Sequence, residues 1–100
     1  MIIRMFDTAV DPDDVDQGIE IFRSTVRPAF AQFEGCRGID LMIGKDEHSG
    51  RLTDFAAISR WDSMDAVEKA VSSDEYTEAL KDLKQLFQQS PIVRHFDVLD

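Results

Sequence analysis

Phe33-Glu34-Gly35-Cys36-Arg37-Gly38, the turn Asp46-Glu47-His48-Ser49-Gly50 and the close Arg60-Trp61-Asp62-Ser63 frame the stretch whose reading decides the fold. Gly35 can take the positive φ that ends a helix, Gly50 can do the same in a hairpin turn, and Asp62 or Ser63 can cap a new helix. Two runs of alternating side chains lie between these markers. Cys36 to Gly44 sets Ile39, Leu41 and Ile43 against Asp40 and Met42; Leu52 to Trp61 sets Phe55, Ala57 and Trp61 against Leu52, Ala56 and Ile58. They read as the arms of a β-hairpin with apolar residues on both faces.

Working back toward the N-terminus, Ile2 to Val10 reads as another strand. Ile2, Phe6 and Thr8 share the face of Arg4, and Ile3, Met5 and Ala9 take the other. Asp11-Pro12-Asp13-Asp14 then supplies a capping acid, a proline placed where a missing N–H costs nothing, and negative charge for a helix N-terminus. Val15, Ile19, Phe22, Val26, Phe30 and Phe33 follow at steps of three and four, one apolar stripe along a helix. Pro28 interrupts it, at a cost of ~3 kcal/mol if nothing relieves the lost bond. The stripe resumes beyond it, which predicts a single bent helix.

Beyond the hairpin, Asp62-Ser63-Met64-Asp65 opens a short helix with Ala66, Val67, Ala70 and Val71 inside. Ser72 with Glu75 has capping-box spacing, so a second helix restarts there with Tyr76, Leu80, Leu83 and Phe87 inward and Lys81 and Lys84 outward. Ser90-Pro91 breaks it. Ile92 to Leu99 is the last strand, with Ile92, Phe96 and Val98 on one face and Val93, His95 and Leu99 on the other.

Strand, helix, two strands, a helix pair and a strand, joined by right-handed crossovers, give an α+β, ferredoxin-like βαββαβ fold in one domain over residues 1–100. Its four-stranded antiparallel sheet would keep every helix on one face. The other face should be wet, yet all four strands place apolar residues on both sides. A bare apolar sheet face marks an interface, and a second copy related by a twofold axis is the simplest cover. A homodimer is therefore expected.

Composition narrows the function. A net charge of −9 opposes binding to nucleic acid or anionic lipid. The opening Met1-Ile2-Ile3-Arg4 carries no apolar run long enough for a signal peptide or membrane span, and the lone Cys36 forms no internal disulfide, so the cytoplasm is the expected compartment. No His or Lys adjoins Cys36 to activate it. His48 lies beside Asp46 and Glu47 without a second ligand pair at zinc spacing, so a solvated turn is expected and no metal. An RNA-recognition domain shares this element order, but Arg51 to Trp61 lacks its Gly-aromatic motif. A metal-chaperone reading fails for want of Cys-x-x-Cys after the first strand.

Phe33-Glu34-Gly35-Cys36-Arg37-Gly38, Gly50-Arg51, Arg60-Trp61-Asp62-Ser63-Met64-Asp65-Ala66 and Ser73-Asp74-Glu75-Tyr76 resemble the antibiotic-biosynthesis-monooxygenase type of dimeric α/β-barrel domain. That resemblance implies two sheets packed face to face, a small cavity between each sheet and its helices, and a function in binding a small molecule. Its enzymatic form would oxidise an aromatic or polyketide-type substrate with O2 and no bound cofactor. Its alternative form is a non-catalytic ligand-binding or structural dimer. The haem-degrading branch of the family carries an Asn on the first strand, a second Trp and a ligating His. Anchored on Trp61, the last two positions fall at Ala70 and Leu80, and the chain has no asparagine, so haem is not expected as a partner. The quinone-forming branch also has an Asn near its substrate.

Phe6, Trp61, Tyr76 and His95 are the candidate pocket residues, and no catalytic residue is singled out. Each has a plainer alternative: the three aromatics as core, with Trp61 plugging a strand end, and His95 as a strand residue without a partner. Arg4, Asp54, Arg60 and Arg94 sit inside apolar strands, where an unpaired charge is expensive. They are expected to pair across strands or a dimer interface, or to line a pocket for an anionic or phenolic ligand.

Overall fold

In a computed structural model, which describes residues 1–46 and 51–100, the strands are β1 (Ile2–Val10), β2 (Cys36–Ile43), β3 (Thr53–Trp61) and β4 (Ile92–Asp97). The turn residues Glu47, His48, Ser49 and Gly50 lie outside the described residues, and with them the readings of His48 and Gly50. All pairings are antiparallel, in the order β2-β3-β1-β4. This is the ferredoxin-like arrangement that the element order implied.

After Asp11 caps a short 3₁₀ turn at Pro12–Asp14, one helical run carries the chain across the sheet. Its α-helical parts, α1 (Val15–Ile21) and α2 (Arg27–Phe30), flank a π-helical turn at Phe22–Val26. The cause is Pro28. In a regular α-helix its ring would press on the carbonyl of Ser24 and its missing N–H would leave that carbonyl unpaired. The chain instead widens by one residue just before the proline: the Arg27 N–H reaches the Phe22 carbonyl, and Pro28 falls in the first turn of α2, where it is tolerated. A wider turn thus takes the place of a simple break.

Gly35 has a φ of +82° where the chain leaves the helix for β2, and its carbonyl accepts the Asp62 N–H at 2.9 Å. Ser63 caps α3 (Met64–Val71) by accepting from the Ala66 N–H. The cap of α4 (Asp74–Lys84) differs from the expected one. Ser73, not Ser72, accepts the Tyr76 N–H, because the backbone turns extended only at Ser73 (ψ 154°), while Ser72 still closes α3 in helical backbone with its hydroxyl on the Glu68 and Lys69 carbonyls.

The strand registers separate the two sheet faces. Thr8 opposite Phe55, Phe6 opposite Ala57, Arg4 opposite Ser59 and Ile2 opposite Trp61 all point toward the helices, as do Ile39 and Leu41. There Ile2, Ile39, Leu41, Phe55, Ala57 and Trp61 join Phe22, Val26, Phe30, Val67, Tyr76, Leu80 and Leu83 in one core. Three rows cross the opposite face. They run Met42-Ala56-Asp7-Ile92, then Asp40-Ile58-Met5-Arg94, then Arg60-Ile3-Phe96. Met42, Ile92 and Phe96 are 39, 55 and 47% exposed there, large apolar side chains on a face that also carries Asp7, Asp40, Arg60 and Arg94. Arg60 pairs with Asp40 across β2 and β3.

Candidate functional site

Between the helix-facing side of the sheet and the helices lies a small cavity. Phe22, Val26 and Phe30 line it from the long helical run, Phe6 and Leu41 from the sheet, and Tyr76, Leu80 and Leu83 from α4. The π turn helps to shape it, since Phe22 and Val26 are the two ends of that turn. Its volume is about 30 Å³, which holds roughly two waters. An aromatic ring would enter only by parting the side chains around it.

One charged side chain reaches this apolar space. Arg4 lines the cavity and forks at its edge: Nη2 donates to the Tyr76 hydroxyl at 2.9 Å, and Nη1 meets Nε2 of His95 at 3.1 Å. Arginine has donors only, so Nε2 of His95 must present its lone pair. The imidazole is therefore neutral, with its proton on Nδ1. Burial, and then the Arg4 charge beside it, hold the His95 pKa below the ordinary imidazole value. Among the described residues no carboxylate pairs with Arg4.

The four candidate pocket residues take three different places. Phe6 and Tyr76 line the cavity, Phe6 with its ring 5.5 Å from that of Phe87. His95 stands on the edge strand β4, joined to the cavity through Arg4. Trp61 is not among the lining residues. It is fully buried, with Phe33 stacked on it at 6.3 Å and Phe30 edge-on at 6.1 Å. The sequence offers Arg4 as one of four charges in apolar strands that pair across strands or an interface or line a pocket for an anionic or phenolic ligand, and nothing in it singles Arg4 out or joins it to Tyr76 and His95. The position of Arg4 on the face of Phe6 was the nearest signal.

Elsewhere the chemistry is quiet. No cluster of metal-ligating side chains occurs among the described residues. Burial pushes the Cys36 thiol up, against the opposing pull of the Gly38 backbone and of the Arg60 charge. Ala70 and Leu80, at the positions where haem-degrading relatives would carry Trp and His, are both buried apolar residues.

The sequence profile described as antibiotic biosynthesis monooxygenase matches residues 1–82. The chain belongs to that family. A relative of this family member, an uncharacterised protein of Mycobacterium tuberculosis strain H37Rv, is 37% identical over 60 residues. The match covers 60% of the chain but only 23% of the relative. Among solved structures, one named as an antibiotic biosynthesis monooxygenase superimposes with a TM-score of 0.74 at 17% identity, over 100% of both chains. A second, from Nitrosomonas europaea and named as a candidate member of the family, reaches 0.79 at 11% identity, again over 100% of both. At such identities these structures speak for the fold alone. No helix among the described residues is long and apolar enough to cross a membrane.

Proposed function

We propose that this family member is a homodimer that binds a small aromatic molecule in the cavity between sheet and helices and oxidises it with O2, without a bound cofactor. The carrying observation is the convergence of polar groups at one edge of an aromatic-lined space, where Arg4 meets Tyr76 and His95. Ligand sites are typically apolar with a few polar groups that fix orientation. For a phenol, such a reaction places one oxygen atom of O2 on the ring and releases the other as water, leaving a quinone. The electrons come from the ring itself, so no external reductant is needed. The exposed row ends Met42, Ile92 and Phe96 supply the second half of the proposal, a sheet face for a second copy to cover.

Oxygen uptake with a panel of phenols, naphthols and anthrones is the direct test, with quinone formation followed in the visible. Catalysis predicts uptake and quinone in equal amounts. The second reading, a non-catalytic ligand-binding module, is favoured by the 30 Å³ volume, which leaves little room for substrate and O2 together. It predicts binding without uptake. Sedimentation at micromolar concentration should give about twice the 11.4 kDa chain mass; a folded monomer would remove the dimer from the proposal.

A further inference from the structure

We infer that Arg4 is a specificity-determining residue, which selects from the small planar molecules entering the cavity those that carry an ionised oxygen. The inference rests on the cavity being the ligand site. Arg4 lies on the inner strand β1, flanked by Ser59 of β3 and His95 of β4. A guanidinium facing an apolar core usually meets a carboxylate, because an uncompensated charge there is costly. The chain has 20 Asp and Glu to choose from. Arg4 instead gives its bonds to two neutral acceptors, a phenol oxygen and an imidazole nitrogen. Its geometry is fixed while its charge is left unbalanced.

A ligand oxygen that takes the place of His95 on Nη1 would supply the missing negative charge at the rim of the apolar cavity, where one side of the pair is sheltered from water. His95 then has a part to play. Released from Arg4, its Nε2 lone pair can take the ligand's proton: the ligand O–H bond breaks, an N–H bond forms on Nε2, and the electron pair stays on the oxygen facing the guanidinium. The charged and titratable groups around His95 are Arg4 from β1, Tyr76 from α4 through Arg4, and Asp97 two residues along on the same side of β4. Phenols and carboxylic acids share this chemistry.

4-Nitrophenol is a suitable probe, because only its phenolate absorbs in the visible. Bound to the wild-type protein it should ionise about one to three pH units lower than free in solution, the shift an opposite charge at contact gives an acid. Arg4→Gln should lose that shift and weaken binding tenfold or more. Arg4→Lys, which keeps the charge, should retain part of it, with circular dichroism verifying that both variants fold. The neutral isostere 4-nitroanisole should bind at least tenfold more weakly than the phenolate. If 4-nitrobenzoate displaces the probe, carboxylates are ligands too; if it does not while the phenol shift is present, the ionised oxygen is a phenolate. Either result supports selection by charge. Equal binding of 4-nitroanisole, or an unshifted ionisation of bound 4-nitrophenol, overturns the role of Arg4 and leaves the cavity reading standing. Failure of every probe to bind overturns both.

Discussion

Trp61 donates its indole N–H to the hydroxyl of Ser59 at 2.8 Å, two residues back along β3, and both side chains are buried. Residues two apart on a strand share a face, so the bond holds the ring flat against the helix side of the sheet. Trp61→Ala should cost ~3 to 5 kcal/mol, a large part of the ~5 to 15 kcal/mol of a typical domain. Ser59→Ala should cost about 1 to 3 kcal/mol by leaving a buried donor unpaired. Urea titration measures both. Trp61 is the only tryptophan, so the native emission should be blue-shifted and poorly quenched by acrylamide, and a red-shifted, readily quenched spectrum would contradict the burial.

Gly35→Ala and Gly18→Ala should separate widely in the same titration. At Gly35 a Cβ would sit 2.6 Å from the Cβ of Ala66, and the φ of +82° is itself unfavourable for alanine. Left-handed strain of about 1 to 2 kcal/mol and overpacking of about 1 to 3 kcal/mol act together there. At Gly18 the new Cβ meets only the ring edge of Phe55 at 2.9 Å, and the gain in helix propensity, about 1 kcal/mol, offsets part of the clash. Equal losses in the two variants would mean that the backbone at Gly35 is not held as described.

The depressed pKa of His95 fixes the sign of a pH effect. As pH falls through the ordinary imidazole value of about 6.5, the unfolded chain takes up a proton that the folded chain still refuses, so stability drops. The loss continues until His95 is protonated in the folded state as well. His95→Gln keeps an acceptor for Arg4 and removes the titration. Thermal melts of wild type and variant, compared from about pH 7.5 downward, should therefore show the wild type losing stability relative to the variant as the pH falls, with any contribution of His48 common to both.

Cys36 should alkylate more slowly with iodoacetamide at neutral pH than a free cysteine, because burial keeps it protonated and the thiolate is the reactive form. Urea should raise the rate to that of an exposed thiol. Fast labelling of the native protein would place Cys36 in a more open setting than the start of β2.

The features legible in the sequence are those decided within a few residues. Gly35, Ser63 and the alternation of Ile39, Leu41, Phe55 and Trp61 each state their geometry locally, and together they imply the sheet and its helical cover. The α4 cap lies one residue beyond the place that the Ser72 and Glu75 spacing indicates, because α3 holds Ser72 in helical backbone and the chain turns extended only at Ser73. Pro28 announced where the helix would be disturbed but not that the disturbance would be a wider turn. The site was less legible. Arg4 meets Tyr76 and His95 from 72 and 91 residues away, through strand register and helix docking that no local pattern encodes.

The π turn at Phe22–Val26 also bears on chain length. It holds one residue more than an α-helical turn would, and each residue of an α-helix advances the side chains by about 100°. Removing a single residue from a regular α-helix would rotate one end against the other, but here the wide turn already holds the extra residue within one turn. With one residue fewer, the N–H that meets the Phe22 carbonyl would come from four residues on instead of five, and Gly18 and Phe30 would keep their facing toward Phe55 and Trp61. The trace of such a deletion in an alignment would be a one-residue gap in mid-helix, where gaps are ordinarily least tolerated.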